Sequence, residues 1–158
     1  GTTDGLKSTP NYWGGSAPTS TVYSVGNDSA TNGSGSTYVA YCWSEITGYS
    51  KIGTYTGNGS SDGPFIYCGF RPAYIMVKRC DSTGAWFVLD NKRDTYNYAY
   101  HTLNPNASDT EYSSTSNAYD FLSNGFKLRQ TNLDQNANGG TYMYMAFAEN
   151  PFNYSLAR

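Results

Sequence analysis

The sequence is short of charge, because only 14% of its 158 residues are Asp, Glu, Lys or Arg, against about 25% in an ordinary globular domain. The formal net charge is −2, so the chain lacks the basic footprint of a nucleic-acid-binding protein. No apolar run approaches the roughly 18 residues that predict a transmembrane helix. The chain starts at Gly1 with neither a Met nor a signal-peptide pattern, and we therefore expect a processed product or a piece of a longer polypeptide.

Side chains that carry catalytic or metal chemistry are also scarce. The single histidine, His101, lies in a Tyr-rich stretch, and no GxSxG motif supplies a nucleophile for it. The cysteines are Cys42, Cys68 and Cys80, and none of their spacings fits a CxxC metal pair. Cys68 and Cys80 could form a disulfide if their strands are neighbours, and the alternative is that all three are reduced. No phosphate-binding GxxxxGK[ST] motif occurs. We therefore predict no catalytic residues, no metal ion and no cofactor.

Aromatic and turn-forming residues are abundant, with 16 Tyr and 17 Gly, whereas strong helix formers are few. This composition predicts an all-β protein, an antiparallel β-sandwich of the jelly-roll or lectin-like type with long polar loops. The apolar runs 74–77 and 85–89 predict two strands, and the turn sequence at 81–84 joins them into a hairpin.

Further along the chain, residues 119–129 predict a second hairpin, with Asn124-Gly125 as its two-residue turn. Residues 141–149 predict a further strand that Pro151 ends. Between the hairpins, residues 96–103 could form one or two helical turns, and residues 104–117 form a long polar connection.

Two segments of the chain follow the same pattern. Residues 23–45 and 126–149 each start with an aromatic strand, continue with an Asn/Gly-rich loop and end with an aromatic strand and a Glu. We therefore predict a truncated first β unit at 1–36, the end of a preceding repeat, and a main β-sandwich domain at 37–158. The alternative is a chance likeness between two hairpins in a chain rich in Tyr, Gly and Asn.

The blocks 48–59, 69–94, 120–127 and 142–152 carry a family resemblance. They resemble the C-terminal domain of tail-fibre-like and other virion-surface proteins of marine bacteriophages, cyanophages especially, which often lies beside concanavalin-like lectin modules. The resemblance spans about residues 17–152. It implies a β-rich adhesin module on the phage particle, assembled in the host cytoplasm and commonly homotrimeric, without known catalysis. It does not imply a defined ligand; the partners that we expect are host surface polysaccharide or lipopolysaccharide and other virion proteins.

Loop aromatics are the candidate sugar-binding residues, because rigid amphipathic rings stack on the C–H faces of sugars. The candidates are the aromatic residues Trp13, Tyr96, Tyr98, Tyr100 and Tyr112 and the polar residues Asp90, Asn91, Arg93 and Asp94. The polar cluster that follows the Trp86 strand is either a ligand rim or a structural salt-bridge knot.

Two other functions remain open from the sequence. The domain could be a structural spacer or a capsid or fibre decoration without a ligand. It could also be a glycan-cleaving tailspike-type hydrolase, which needs two carboxylates about 5–9.5 Å apart. The candidate carboxylates are Glu45, Asp90, Asp94, Asp120 and Glu149. The oxygen-rich loop 58–63 could bind Ca²⁺, and the alternative is a glycine-rich surface turn.

Overall fold

The structure is a computed structural model that describes residues 3–151. Contacts divide these residues into a larger unit, 3–5 with 44–151, and a smaller unit, 6–43. The strands of the larger unit are β1 (Ser50–Thr56), β2 (Phe65–Tyr67), β3 (Pro72–Arg79), β4 (Trp86–Asp90), β5 (His101–Thr102), β6 (Tyr112–Ser113), β7 (Tyr119–Leu122), β8 (Gly125–Leu128) and β9 (Thr141–Ala148). The helices are α1 (Pro10–Trp13) and α2 (Ser29–Asn32) in the smaller unit, and a 3₁₀ helix (Thr115–Asn117) and α3 (Leu133–Asn136) in the larger one.

The strands form three antiparallel sheets with the orders β1-β9-β3-β4, β2-β8-β7 and β5-β6. The four-stranded and three-stranded sheets contribute to one hydrophobic core. Ile75 and Tyr142 enter it from the first sheet, and Tyr119 and Phe126 enter it from the second. The fold is therefore mostly antiparallel β-sheet and sandwich-like, which confirms the all-β prediction. The finer jelly-roll or lectin-like description stays a prediction.

The hairpin of β3 and β4 confirms the strand predictions at 74–77 and 85–89. Tyr74 pairs with Asp90, and Lys78 pairs with Trp86 at the other end. Leu89 is fully buried, and a side chain of this kind contributes about 1.5–3 kcal/mol when it leaves water. The hairpin thus contributes buried apolar surface to the core. Its end at Asp90 also fixes where the loop after β4 begins.

The hairpin of β7 and β8 is confirmed, but its turn lies one residue earlier than predicted. Leu122 pairs with Gly125, so Ser123 and Asn124 are the two turn residues. Gly125 is needed for a different reason, since a Cβ atom there would lie 2.0 Å from the backbone oxygen of Ile66 in β2. The glycine therefore allows the close approach of a third strand.

The strand predicted at 141–149 is confirmed as β9, which pairs with β1 on one side and β3 on the other. The helical turns predicted at 96–103 are wrong. That segment contains β5, and the backbones of Ala99 and Tyr119 exchange two hydrogen bonds of 2.7 and 2.9 Å. A long-range pairing thus overrides the weak local helical pattern.

The smaller unit has two short helices and no strand among its residues 6–43. Asp28 caps α2 by accepting a 2.8 Å hydrogen bond from the backbone N–H of Ala30. The hairpin that the repeat predicts for residues 23–45 is therefore wrong, whereas the second copy does contain β8 and β9. Residues 3–36 likewise carry no strand, although the first β unit was predicted to span 1–36. The domain division at residue 36 stays a prediction.

All three cysteines are free, so no disulfide joins Cys68 and Cys80. Burial raises the pKa of the Cys68 thiol to about 12, which keeps it protonated at neutral pH. Among the described residues 3–151, no helix has the length and apolarity that a membrane crossing requires.

Candidate functional site

The loop that follows β4 forms an open cavity of about 600 Å³. Its lining residues are Arg93, Asp94, Thr95, Tyr96, Asn97, Tyr98, Tyr100 and Thr115. The structure thus brings together five of the nine residues that the sequence analysis proposes for ligand binding: three tyrosines, one arginine and one aspartate. A cavity of this volume lies within the range of about 300–1,000 Å³ that small-molecule sites occupy.

Asp94 fixes the end of the loop at Tyr100 and His101. Its Oδ2 atom accepts hydrogen bonds of 2.8 Å from the backbone N–H groups of both Tyr100 and His101. Its Oδ1 atom lies 2.6 Å from Nδ1 of His101. The Asp94 side chain is buried, so its oxygens are engaged by the loop rather than by water. Asp94 therefore acts as a positioning residue for the tyrosines above it.

Asn97 fixes the middle of the loop to a buried strand. Its side-chain amide donates to the backbone oxygen of Phe121 at 3.0 Å and accepts from the backbone N–H of Phe121 at 2.9 Å. The amide thus makes the pair of hydrogen bonds with β7 that a neighbouring strand would otherwise make. The Asn97–Tyr98 peptide bond is cis. Sequence analysis missed Asn97, because its partner lies 24 residues away and no local pattern marks the pair.

The three tyrosines differ in how much of each side chain is exposed to solvent. The Tyr100 ring stacks on the imidazole of His101 at 4.7 Å, and the Tyr98 ring meets Tyr100 edge to face at 5.9 Å. Tyr98 is 45% exposed and Tyr96 is 86% exposed. Tyr100 is therefore supported by its stacking contact with His101, whereas Tyr98 and Tyr96 offer ring faces and hydroxyl groups to a ligand.

Asp90 and Arg93 form an ion pair, which is the structural alternative to a ligand rim that the sequence analysis left open. Oδ2 of Asp90 accepts from Nε and Nη2 of Arg93 at 2.7 and 2.6 Å, and Oδ1 accepts from the backbone N–H groups of Lys92 and Arg93 at 2.9 Å each. Partial burial raises the pKa of Asp90, but the hydrogen bonds and charge of Arg93 outweigh it and hold that pKa below its usual value. Arg93 also lies 3.4 Å from Glu111.

The remaining predicted site residues do not line this cavity. Asn91 is buried, and its amide donates to Oε1 of Glu149 at 2.7 Å. The hydroxyl of Tyr112 accepts from Asn117 at 3.1 Å. Trp13 lies in α1 of the smaller unit, where its indole N–H donates to the backbone oxygen of Lys7.

The other candidate carboxylates are engaged by basic side chains. Glu45 accepts from Lys51 at 2.9 Å, Glu149 from Arg71 at 3.0 Å and Asp120 from Arg129 at 2.5 Å. These are the contacts of structural ion pairs. The hydrolase alternative gains no support from them and remains a hypothesis.

The oxygen-rich loop 58–63 is bonded to itself. Oδ1 of Asn58 accepts from the backbone N–H of Ser60 at 3.0 Å, and Oγ of Ser60 accepts from the N–H of Asp62 at 3.1 Å. Over the described residues 3–151, no group of three or more His, Cys, Asp and Glu side chains is placed to hold a metal ion. The loop has the contacts of a surface turn.

The chain matches a known protein family. The profile of a family described as "Domain of unknown function (DUF7483)" matches residues 1–151. No curated protein and no solved structure matches the chain.

Proposed function

We propose that this chain, which belongs to the DUF7483 family, is a non-enzymatic attachment domain of a bacteriophage tail fibre or related virion-surface protein. Its ligand is a glycan of the host cell surface, polysaccharide or lipopolysaccharide. The resemblance to phage fibre proteins supports the virion part of this proposal. The geometry of the loop after β4 supports the glycan part.

The observation that carries the proposal is the convergence of Tyr96, Tyr98 and Tyr100 on one open cavity. Tyrosine loses little conformational entropy on binding, and it offers both a stacking face and a hydrogen-bonding hydroxyl. The loop backbone is fixed through Asp94 and Asn97, so a ligand would meet a preorganised surface. Each site binds weakly, and several sites on one particle add avidity.

The test is binding of the purified chain to an array of bacterial surface polysaccharides and lipopolysaccharides. We expect Tyr96→Ala and Tyr98→Ala to weaken binding of the best array ligand by about tenfold or more each, which corresponds to about 1.4 kcal/mol. Tyr67→Ala is the matched control, because Tyr67 is 65% exposed on β2 and is not among the cavity-lining residues. Equal loss of binding in all three variants would contradict the proposal.

The spacer function is a second candidate, and one observation favours it. Asp90 and Arg93 direct side-chain polar atoms to each other, and the amide nitrogen of Asn91 donates to Glu149 within the fold. A domain without a ligand would show binding to no member of the array. The same experiment therefore separates the two functions.

A further inference from the structure

The basic side chain of the cavity after β4 is already paired with carboxylates. Arg93 is the one basic residue among the described residues that line this cavity. Its Nε and Nη2 atoms lie 2.7 and 2.6 Å from Oδ2 of Asp90, and its Nη1 atom lies 3.4 Å from Oε2 of Glu111. Each nitrogen of the guanidinium therefore faces a carboxylate, and an anionic ligand would have to compete with one of them for it.

Carboxylates outnumber the cations around this cavity. Asp94 also lines it, and its carboxylate is buried, with Oδ1 2.6 Å from Nδ1 of His101. The carboxylates of Asp90, Asp94 and Glu111 outweigh the guanidinium even when His101 is protonated. Lys92 is exposed and is not among the lining residues, so solvent screens its charge. The electrostatic potential at the cavity is therefore negative and opposes the approach of a carboxylate or phosphate group.

The uncharged side chains of the cavity fit a ligand that is rich in hydroxyl groups. The lining residues that carry a hydroxyl group are Thr95, Tyr96, Tyr98, Tyr100 and Thr115. A hydroxyl group both donates and accepts, so it can pair with a sugar hydroxyl in either direction. The exposed rings of Tyr96 and Tyr98 add stacking faces for the C–H groups of a pyranose. An uncharged hexose satisfies both these groups and the negative potential.

We infer that the cavity selects uncharged sugars and rejects acidic ones, and that Glu111 is a specificity-determining residue. Its carboxylate occupies the guanidinium of Arg93, which an acidic sugar would need as a partner. The inference rests on the glycan-binding function proposed above and names the class of sugar. The ligand is then a neutral polysaccharide or the neutral O-chain of a lipopolysaccharide, and not a phosphorylated inner core. Sequence analysis missed Glu111, because it lies 18 residues from Arg93.

The test compares sugars that differ in charge alone. The probes are the neutral polysaccharides of the array, each paired with a derivative whose primary hydroxyl groups have been oxidised to carboxylates. Lipopolysaccharide with a neutral O-chain and deep-rough lipopolysaccharide, which retains only the phosphorylated inner core, separate the two sources of sugar. We expect oxidation to weaken binding of each neutral ligand by at least about tenfold in low-salt buffer. The loss should shrink in high-salt buffer, because salt screens the repulsion.

Replacement of Glu111 tests its role in this selection. Glu111→Gln removes one negative charge and leaves Nη1 of Arg93 without an ionised partner. We expect the ratio of neutral to oxidised affinity to fall by at least about threefold. Asp62→Asn is the matched control, because it removes the same charge from an exposed residue that pairs with Lys127 at 2.9 Å and is not among the cavity-lining residues. This variant should leave the ratio unchanged.

The wild-type chain tests charge selection without any substitution, so the test does not depend on how a variant folds. Oxidised ligands that bind as tightly as neutral ones would overturn the inference and leave the attachment function standing. Deep-rough lipopolysaccharide that binds as tightly as the O-chain form would do the same, because the cavity would then accept phosphate. Equal effects of Glu111→Gln and Asp62→Asn would overturn the role of Glu111. If no probe binds, the attachment function itself fails, and this inference fails with it.

Discussion

The tyrosine loop, which carries Tyr96, Tyr98 and Tyr100, is held in place by two side chains that are not aromatic, those of Asp94 and Asn97. Asp94 receives three hydrogen bonds from residues 100 and 101, and Asn97 pairs with the backbone of Phe121. The tyrosines and the charged cluster were recognisable from the sequence because exposed aromatic and polar residues next to a strand end form a local pattern. The roles of Asp94 and Asn97 were not recognisable, because their contacts depend on how the loop closes.

Replacement of Asp94 tests its positioning role. We expect Asp94→Ala to lower the free energy of unfolding by about 2–4 kcal/mol, since the partly buried N–H groups of Tyr100 and His101 lose their acceptor. Asp94→Asn keeps an acceptor oxygen and should cost less. Urea unfolding measures both values. A change below about 0.5 kcal/mol for Asp94→Ala would show that the loop does not depend on this carboxylate.

Asp90 makes stability depend on pH in a definite direction. Its pKa in the folded state lies below the unfolded value of about 3.9, so its ionised form stabilises the fold above that pH. This contribution is lost as the pH falls through the folded-state pKa. We expect Asp90→Asn to be less stable than wild type at pH 7 by about 1–2 kcal/mol, because the charged bonds to Arg93 are weakened.

The difference between Asp90→Asn and wild type should shrink as the pH falls below about 4, where wild type gains a proton on Asp90 that the variant cannot take up. Urea unfolding of both proteins at neutral and acidic pH measures this. A difference that stays constant over the whole range would mean that Asp90 contributes no pH-dependent stability.

At the scale of elements, local patterns predicted the hairpins and long-range contacts decided the rest. β3, β4, β7, β8 and β9 have dense apolar residues and short turns, so their sequences alone predict strands. β1 (Ser50–Thr56) is much more polar and exists because it pairs with β9 along its whole length. β2 has only three residues and depends on β8. Such pairings are not readable from a single short segment.

Gly125 tests whether the approach of β2 to the second hairpin determines the residue at that position. We expect Gly125→Ala to lower the free energy of unfolding by about 2–3 kcal/mol, since its methyl group would displace the backbone of Ile66. Gly139→Ala is the control, because it has open space around it and costs only the strain of its positive φ, about 1–2 kcal/mol. A cost for Gly125→Ala no larger than that of the control would contradict the claim that the close approach of β2 requires glycine at this position.

At the scale of the whole molecule, the sequence predicted the all-β class but not how residues 6–43 are organised. Residues 37–45 resemble β9 closely, yet β9 is a strand because β1 and β3 pair with both of its edges. No such pairing is formed by residues 37–43 in the described structure, and their apolar side chains remain largely exposed. Strand propensity alone was therefore insufficient to make residues 37–43 a strand.

The central claim is that a host glycan binds at the tyrosine loop. The most direct measurement is an NMR titration of the chain carrying labelled tyrosines, with the best-binding oligosaccharide from the array as the probe. The account predicts that the ring signals of Tyr96, Tyr98 and Tyr100 shift with one common dissociation constant, while those of the buried Tyr119 do not. Saturable shifts confined to tyrosines of residues 6–43, or binding that leaves all three loop tyrosines unchanged, would contradict it.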